Sequence, residues 1–488
     1  MKPNESTGGS LQARVPRFWR AFGTALFGFL LAAGFLRAVG HIDVLPHSNV
    51  LDYRVIACGE RAVLQHADPY RTEPLRSCEH GVAREQNEPA WSVTPFSLPP
   101  YSAALFLPFG ALDFGTGRTL WFVLIVMATC VTAAALAEIL DVSALGVAFV
   151  LTPTVGILNL HYGETVPFAL AAVVLAALAL ERGRPMLAAV AAGVALLEPA
   201  IGLPAVLGLI LLVPAARRPL VITVGIVGAL GFVAFGYARN LEYLRVFLPA
   251  HQHAELYARD QFSLTRLAFV LGAPERIASA LGSVSYVVAL AVGVVTARLA
   301  GGRLRMPALF VLLPLALSTL GGPFVHDVEI AVALPAAIVL GRQSWLARVA
   351  VVLLAMQWEA ALRFDIVYAL VAAFGATLLY VPTAALSRRI AYTLAVAAAV
   401  VVLRVALPQS PEQSQVASGQ TPPGLVATSI SSVAWEWRIR QTAAWHAVDA
   451  ANGIRKIPTW LGLVFLPIAA SKMRGRRQRL ESEAPTAA

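Results

Sequence analysis

Apolar runs of roughly 17 to 25 residues alternate along this chain with short polar stretches, and each run is long enough to cross a hydrocarbon core about 30 Å thick. Backbone groups inside a bilayer must be satisfied within their own segment, so such runs predict helices. The first covers about Ala21–Ala38 and follows a start, Met1–Arg20, that holds Lys2, Arg14, Arg17 and Arg20. It has full spanning length, and no small-residue cleavage site precedes the polar stretch after it; it reads as a retained helix rather than a signal peptide. Further spans are expected at about 118–140, 142–158, 164–181, 186–198, 200–214, 219–238, 280–300, 306–320, 326–341, 346–362, 364–382, 388–407 and 457–471, about 14 with the first. Ser97–Leu112, SLPPYSAALFLPFGAL, is too short and too Pro-broken to span and is placed as an interfacial or re-entrant piece. The two short spans at 186–198 and 200–214 meet at LLEPAIGLP, where Pro199 disfavours helix at Glu198 and predicts a break.

Composition agrees with this pattern. Of 488 residues, 58% are hydrophobic and 14% charged, whereas a soluble surface needs about a quarter charged. The mean hydropathy is +0.69. The expected class is therefore an all-α polytopic membrane protein. A net charge of +10 would suit nucleic acid, but the basic residues sit in short clusters between apolar runs, the distribution that fixes membrane topology. Arg182 with Arg184, Arg217 with Arg218, Arg298 with Arg303 and Arg305, Arg342 with Arg348, Arg388 with Arg389, and Lys472–Arg479 all fall on one side of the alternation, which is read as cytoplasmic. The expected organisation is a cytoplasmic N-terminus at 1–20 and a transmembrane domain at 21–407 with extracytoplasmic loops 38–117 and 239–278. An extracytoplasmic segment at 408–456, a last transmembrane helix at 457–471 and a basic cytoplasmic tail at 472–488 complete it. The expected location is the cell inner (plasma) membrane, with both termini cytoplasmic and the polar segments outside.

Those outer segments carry the candidate chemistry. Leu51–Tyr70, LDYRVIACGERAVLQHADPY, is charged and aromatic within a chain that is otherwise Ala, Val and Leu, and it is read as a polar loop. If the outer segments converge, Asp52, His161 and Glu164 of NLHYGETVPF, Tyr257–Arg266, and His326 with Asp327 face one cavity. A carboxylate can take a proton from a hydroxyl nucleophile, and imidazole or guanidinium groups can stabilise a departing phosphate. Asp43 and Asp68 are less favoured bases, since Asp68 precedes Pro69 where an Asx-type turn explains it. Cys58 and Cys78 share the first outer loop and can pair there; Cys130 lies in a span. Neither a CxxC nor an HExxH pattern supports a metal site. Trp435, Trp437 and Trp445 with interleaved Arg suit an interfacial amphipathic piece. A transporter or flippase of a lipid-linked sugar is the alternative function; polar groups gathered in loops rather than at the midplane favour surface chemistry.

The order of these motifs resembles glycosyltransferase family 87 over about residues 20–345. Asp52–Tyr53 follow the first helix, then come ADPY at Ala67–Tyr70, LPPYSAALFLPFGAL at Leu98–Leu112, HYGETVPFAL, LLEPAIGLP, DQFSLTRL and GGPFVHD. The resemblance implies a GT-C-like bundle of about 12–14 transmembrane helices with a large first extracytoplasmic loop, and transfer of mannose or a similar sugar from a polyprenyl-phosphate donor. It makes Asp52 the catalytic base and assigns His326 to the donor phosphate, with Glu164, His161, Tyr53, Arg54, Asp260, Gln261, Arg266 and Glu198 as further substrate-binding candidates. Glu164 stands where the family usually has Gln, Glu198 where it has Lys, and Asp260 where it has Asn. These changes add negative charge to a site that receives an anionic donor. Arg259, Arg266 or Arg54 are the candidates to offset it. Expected partners are membrane lipids, the polyprenyl-phosphate-sugar donor and a lipid or glycan acceptor, with no nucleic acid. No cofactor and no metal ion are expected, because a lipid phosphate already leaves readily.

Overall fold

A computed structural model describes residues 16–40, 51–86, 93–258, 261–355, 365–381, 386–406, 429–442 and 446–473. Among them the protein is helical throughout; pairing of extended backbone is limited to two isolated bridges, Arg71 with Ile430 and Gln261 with His326. The chain is an all-α polytopic membrane protein. Five elements are long and apolar enough to cross a bilayer: Arg17–Val39, Phe114–Leu140, Ala144–Tyr162, Pro214–Glu255 and Glu275–Leu304. Six more apolar helices, of 10–17 residues, lie among them.

Helix α1 (Arg17–Gly40) packs on α5 (Phe114–Leu140) and α6 (Ala144–Leu151). Between them in sequence come α2 (Leu51–Leu64), α3 (Thr72–Glu85) and α4 (Pro100–Gly110). Leu51–Tyr70 is thus not a loop. Leu51–Leu64 folds as a helix with most of its residues buried, because its apolar positions recur at helical spacing and press on α4 and α3. A Cβ on Gly110 would lie 2.5 Å from the Glu60 carbonyl carbon, so only glycine lets α4 cross α2 this closely. Cys58 of α2 and Cys78 of α3 form a disulfide, Cα–Cα 5.7 Å.

Asp113 caps α5 by accepting from the Thr116 N–H at 2.9 Å, and 27 residues carry that helix about 40 Å to Leu140. At that far end the Arg17–Asp141 and Arg182–Glu138 ion pairs gather with Arg342, which donates to the Leu140 carbonyl. After α6, Pro153 can offer no N–H, and Thr152–Leu158 winds as a π-helix before α7 (Asn159–Tyr162). Helices α8 (Val166–Glu181), α9 (Pro185–Val194) and α10 (Pro199–Leu212) follow. One helix stops at Leu197 and the next starts at Pro199, with Glu198 in extended conformation between them (φ −119°, ψ 100°).

Segment 239–278 was expected as an outer loop, but α11 (Arg217–Glu242) runs through a π-turn into α12 (Leu248–Glu255), so helix continues well past residue 238. A kink at Gly236 (φ 71°) makes the turn. Asn240 donates to the Gly231 and Gly236 carbonyls at 3.0 and 2.8 Å, satisfying groups that the kink releases. Next come α13 (Leu264–Val270), α14 (Glu275–Leu304), α15 (Leu309–Ser318), α16 (Asp327–Ile330), α17 (Leu334–Gly341), α18 (Trp345–Ala355), α19 (Asp365–Tyr380) and α20 (Leu386–Ala406). The last two, α21 (Ser431–Thr442) and α22 (His446–Lys472), return to the end of the bundle that carries α2 and α12. There α21 lies on α12 and α3, with Arg440 4.2 Å above the Tyr257 ring. Trp445 lies outside the described residues.

Candidate functional site: a carboxylate crevice at one end of the bundle

Trp121, fully buried in α5, donates its indole N–H to the Gly163 carbonyl at 2.8 Å. Gly163 takes the left-handed conformation (φ 81°) that ends α7, and the turn swings the next residue, Glu164, out toward α2. The Glu164 carboxyl lies within electrostatic reach of Asp52, His326 and Glu198. Glu198, in extended conformation just before Pro199, accepts from the Thr165 hydroxyl at 2.7 Å. Four segments far apart in sequence therefore meet in one crevice in which Asp52, Glu164, Glu198 and His326 are all partly accessible. Protein crowds Glu164 despite that accessibility; desolvation first and the Asp52 carboxylate second push its pKa well above the usual carboxylate range.

The His326 side of the crevice rests on a short interlock. Gln261 and His326 form an isolated antiparallel bridge, Phe262 N–H donates to the Val325 carbonyl at 2.6 Å, and Val325 N–H donates to Gln261 Oε1 at 2.7 Å. With Oε1 occupied, the Gln261 Nε2 faces Glu255 Oε2 and His326 Nε2, each at 2.8 Å. Glu255, buried at the end of α12, also lies 3.0 Å from His326 Nε2. Glu255 and Gln261 thus converge on one ring nitrogen of His326, and the His326 main-chain N–H is held by Glu329 at 2.9 Å. From the C-terminal end, Lys456 donates to the Gln261 carbonyl at 2.6 Å and Trp460 to the Phe262 carbonyl at 3.1 Å.

The remaining sequence-derived candidates divide. Tyr53 is fully buried against Phe109, Phe114 and Trp121, facing the aromatic core rather than the crevice. Its helix neighbour Arg54 is buried as well. Arg266 is buried and donates to the Leu256 carbonyl at 2.6 Å, so its guanidinium holds the α12–α13 turn. His161 is exposed on α7 beside the Tyr162 ring and is not among the groups acting on Glu164. Asp260, Arg259 and Asp43 lie outside the described residues. Asp68 accepts from the Tyr70 N–H at 3.0 Å and pairs with Arg71, the turn its place before Pro69 suggests. Tyr70 itself is buried among Phe96, Phe235, Tyr243 and Phe247 and donates to the Leu98 carbonyl at 2.9 Å. ADPY is thus an anchor for the α2–α3 pair. Among the described residues no three His, Cys, Asp or Glu side chains are grouped to hold a metal ion.

Sequence reasoning missed Glu255 and Lys456. Glu255 carries a faint signal, an acid four residues after His251 and near the DQFSLTR motif; Lys456 carries none, being one basic residue before an apolar run.

The model of glycosyltransferase family 87 matches residues 96–325. That match, over just under half of the chain, supports membership of glycosyltransferase family 87. No curated protein matches the chain, and no solved structure does. The family 87 match begins after Asp52 and ends one residue before His326, so it covers Glu164, Glu198, Glu255 and Gln261 while the two polar ends of the crevice flank it. This match and the membrane-spanning helices together support a membrane glycosyltransferase, and the crevice is where its carboxylates and imidazole meet.

Proposed function

We propose that this family 87 chain is an inverting GT-C-type enzyme that moves mannose or a similar sugar from a polyprenyl-phosphate donor to a lipid or glycan acceptor. The observation that carries the reading is the convergence of Asp52, Glu164, Glu198 and His326 in one accessible crevice. Asp52 takes the acceptor hydroxyl proton, the acceptor oxygen bonds to the anomeric carbon, and the carbon–oxygen bond to phosphate breaks with its electron pair leaving on polyprenyl phosphate. His326, its Nε2 facing Glu255 and Gln261, turns toward the leaving phosphate as a cation.

In this reading the crevice opens on the extracytoplasmic side of the inner (plasma) membrane, both termini are cytoplasmic, and the chain divides near residues 20, 407, 456 and 471. Gathering of Arg17, Arg182 and Arg342 at the opposite end of α5 supports that orientation.

The test uses purified full-length protein in lipid vesicles with radiolabelled polyprenyl-phosphate sugars and a membrane lipid extract. Product is expected from the parent, and Asp52→Asn is expected to lower turnover by about 10²–10⁴-fold without loss of folding. Full activity in that variant would overturn the assignment of the base.

A further inference from the structure

We infer that α21 is a pH-sensitive clasp whose far end is held by a doubly protonated His253 set between Glu436 of α21 and Glu275 of α14. His253, in the last turn of α12, has Nδ1 2.9 Å from Glu436 Oε2 and Nε2 3.0 Å from Glu275 Oε2. A neutral imidazole has one N–H and can serve only one carboxylate; serving two takes the imidazolium. Both carboxylates have other donors that favour their ionised form. Arg440 lies 2.7 Å from Glu436 Oε1 and 3.8 Å from Glu275 Oε1, and the Tyr257 hydroxyl donates to Glu275 Oε1. Among the described residues, the titratable and charged groups around the ring are therefore Tyr257 just past α12, Glu275 of α14, and Glu436 and Arg440 of α21. With His253 charged, two cations balance two anions.

The two ends of α21 are held differently. At its start, the Ser431 N–H donates to the Tyr70 carbonyl at 3.0 Å, the Thr72 N–H donates to the Ser429 carbonyl at 2.9 Å, and Arg71 bridges to Ile430. No titrating group takes part in those main-chain bonds. At its end, Glu436 and Arg440 share their network with His253. As pH rises through the histidine range the ring gives up one N–H, so one carboxylate loses its donor and two anions face a single cation. The charged form holds the clasp; docking is therefore complete at the acid side of that range and lost above it. The end of α21 then swings away about Ser429–Ser431. Its departure uncovers the last turn of α12, which carries Glu255 of the crevice two residues beyond His253.

The experiment is hydrogen–deuterium exchange of the full-length protein in lipid vesicles, with protection corrected for the intrinsic exchange rate at each pH. An undocked helix of 12 residues is marginal in water, so release of α21 exposes its amides. Between pH 6 and pH 9, protection over residues 436–442 is expected to fall about tenfold or more, while that over 431–434 and over α5 holds. His253→Arg keeps a cation between the carboxylates at both pH values and should hold protection within about twofold. His253→Gln supplies no cation and should show the low value already at pH 6. Parental protection that is the same at pH 6 and pH 9, a fall shared equally by 431–434, or a fall that survives in His253→Arg overturns the inference. The parental pH series decides the matter even where a variant fails to fold. Because exchange involves neither donor nor acceptor, the clasp is tested whether or not sugar transfer is found.

Discussion

Glu60 is fully buried in α2, and neither of its carboxyl oxygens has a hydrogen-bond partner among the described residues. Burial alone pushes its pKa up to about 9. The sign follows directly: an acid whose folded pKa is raised is neutral in the fold at pH 7 but ionised in the unfolded chain, so stability is greatest below the ordinary value of 4.5 and declines as pH rises toward 9. At neutral pH the difference is on the order of 3 kcal/mol against folding. Glu60→Gln removes that dependence. Its thermal midpoint, relative to the parent, should rise by several degrees between pH 5 and pH 8, and an unchanged difference across that range would contradict a neutral Glu60. Glu60 and Glu164 thus look alike in sequence, a Glu in a polar stretch, yet one lies sealed between helices and the other opens on a crevice. Nothing local to either residue distinguishes them; the difference comes from α4 crossing over Glu60 at Gly110.

At the scale of elements, that crossing is the tightest constraint on the α2–α4 pair. Gly110→Val should force α4 away from α2 and cost about 2–4 kcal/mol, read as a lowered unfolding midpoint in detergent, while the same change at Gly225, which has open space around it, should be nearly silent. Hydrophobic periodicity made most of the bundle legible. The spans expected near 118–140, 164–181 and 280–300 correspond to α5, α8 and α14, and the break at Pro199 follows from the missing N–H of proline. Periodicity failed where polarity was mistaken for looseness. Leu51–Leu64 has buried charged residues, Arg54 and Glu60, that lower its hydropathy without making it a loop, and the continuation of α11 into α12 was hidden because His251, His253 and Glu255 break the apolar run. Helix propensity and tertiary packing outweighed the hydropathy signal in both places.

For the whole molecule, the meeting of separate polar segments could be foreseen in outline, since Asp52, Glu164, Glu198 and His326 were each singled out by lying in polar breaks. Their supports could not be foreseen: Glu255 and Lys456 act through partners far away in sequence, and a single chain shows no pairing. Lys456, buried near the start of the last long helix, holds the Gln261 carbonyl whose neighbour Phe262 pairs with Val325. Lys456→Met should therefore lower kcat by about tenfold with KM little changed, because it loosens the orientation of His326 rather than the crevice itself; a change confined to KM would argue against that linkage. The same link bears on biosynthesis. Chains enter the membrane from the N-terminus onward, and Asp52 is delivered about 400 residues before the lysine that completes the opposite wall. A nascent chain halted between α16 and α22 carries Asp52 and His326 but lacks the Lys456 brace, so under the proposed mechanism transferase activity should arise late and all at once, as the final helix docks.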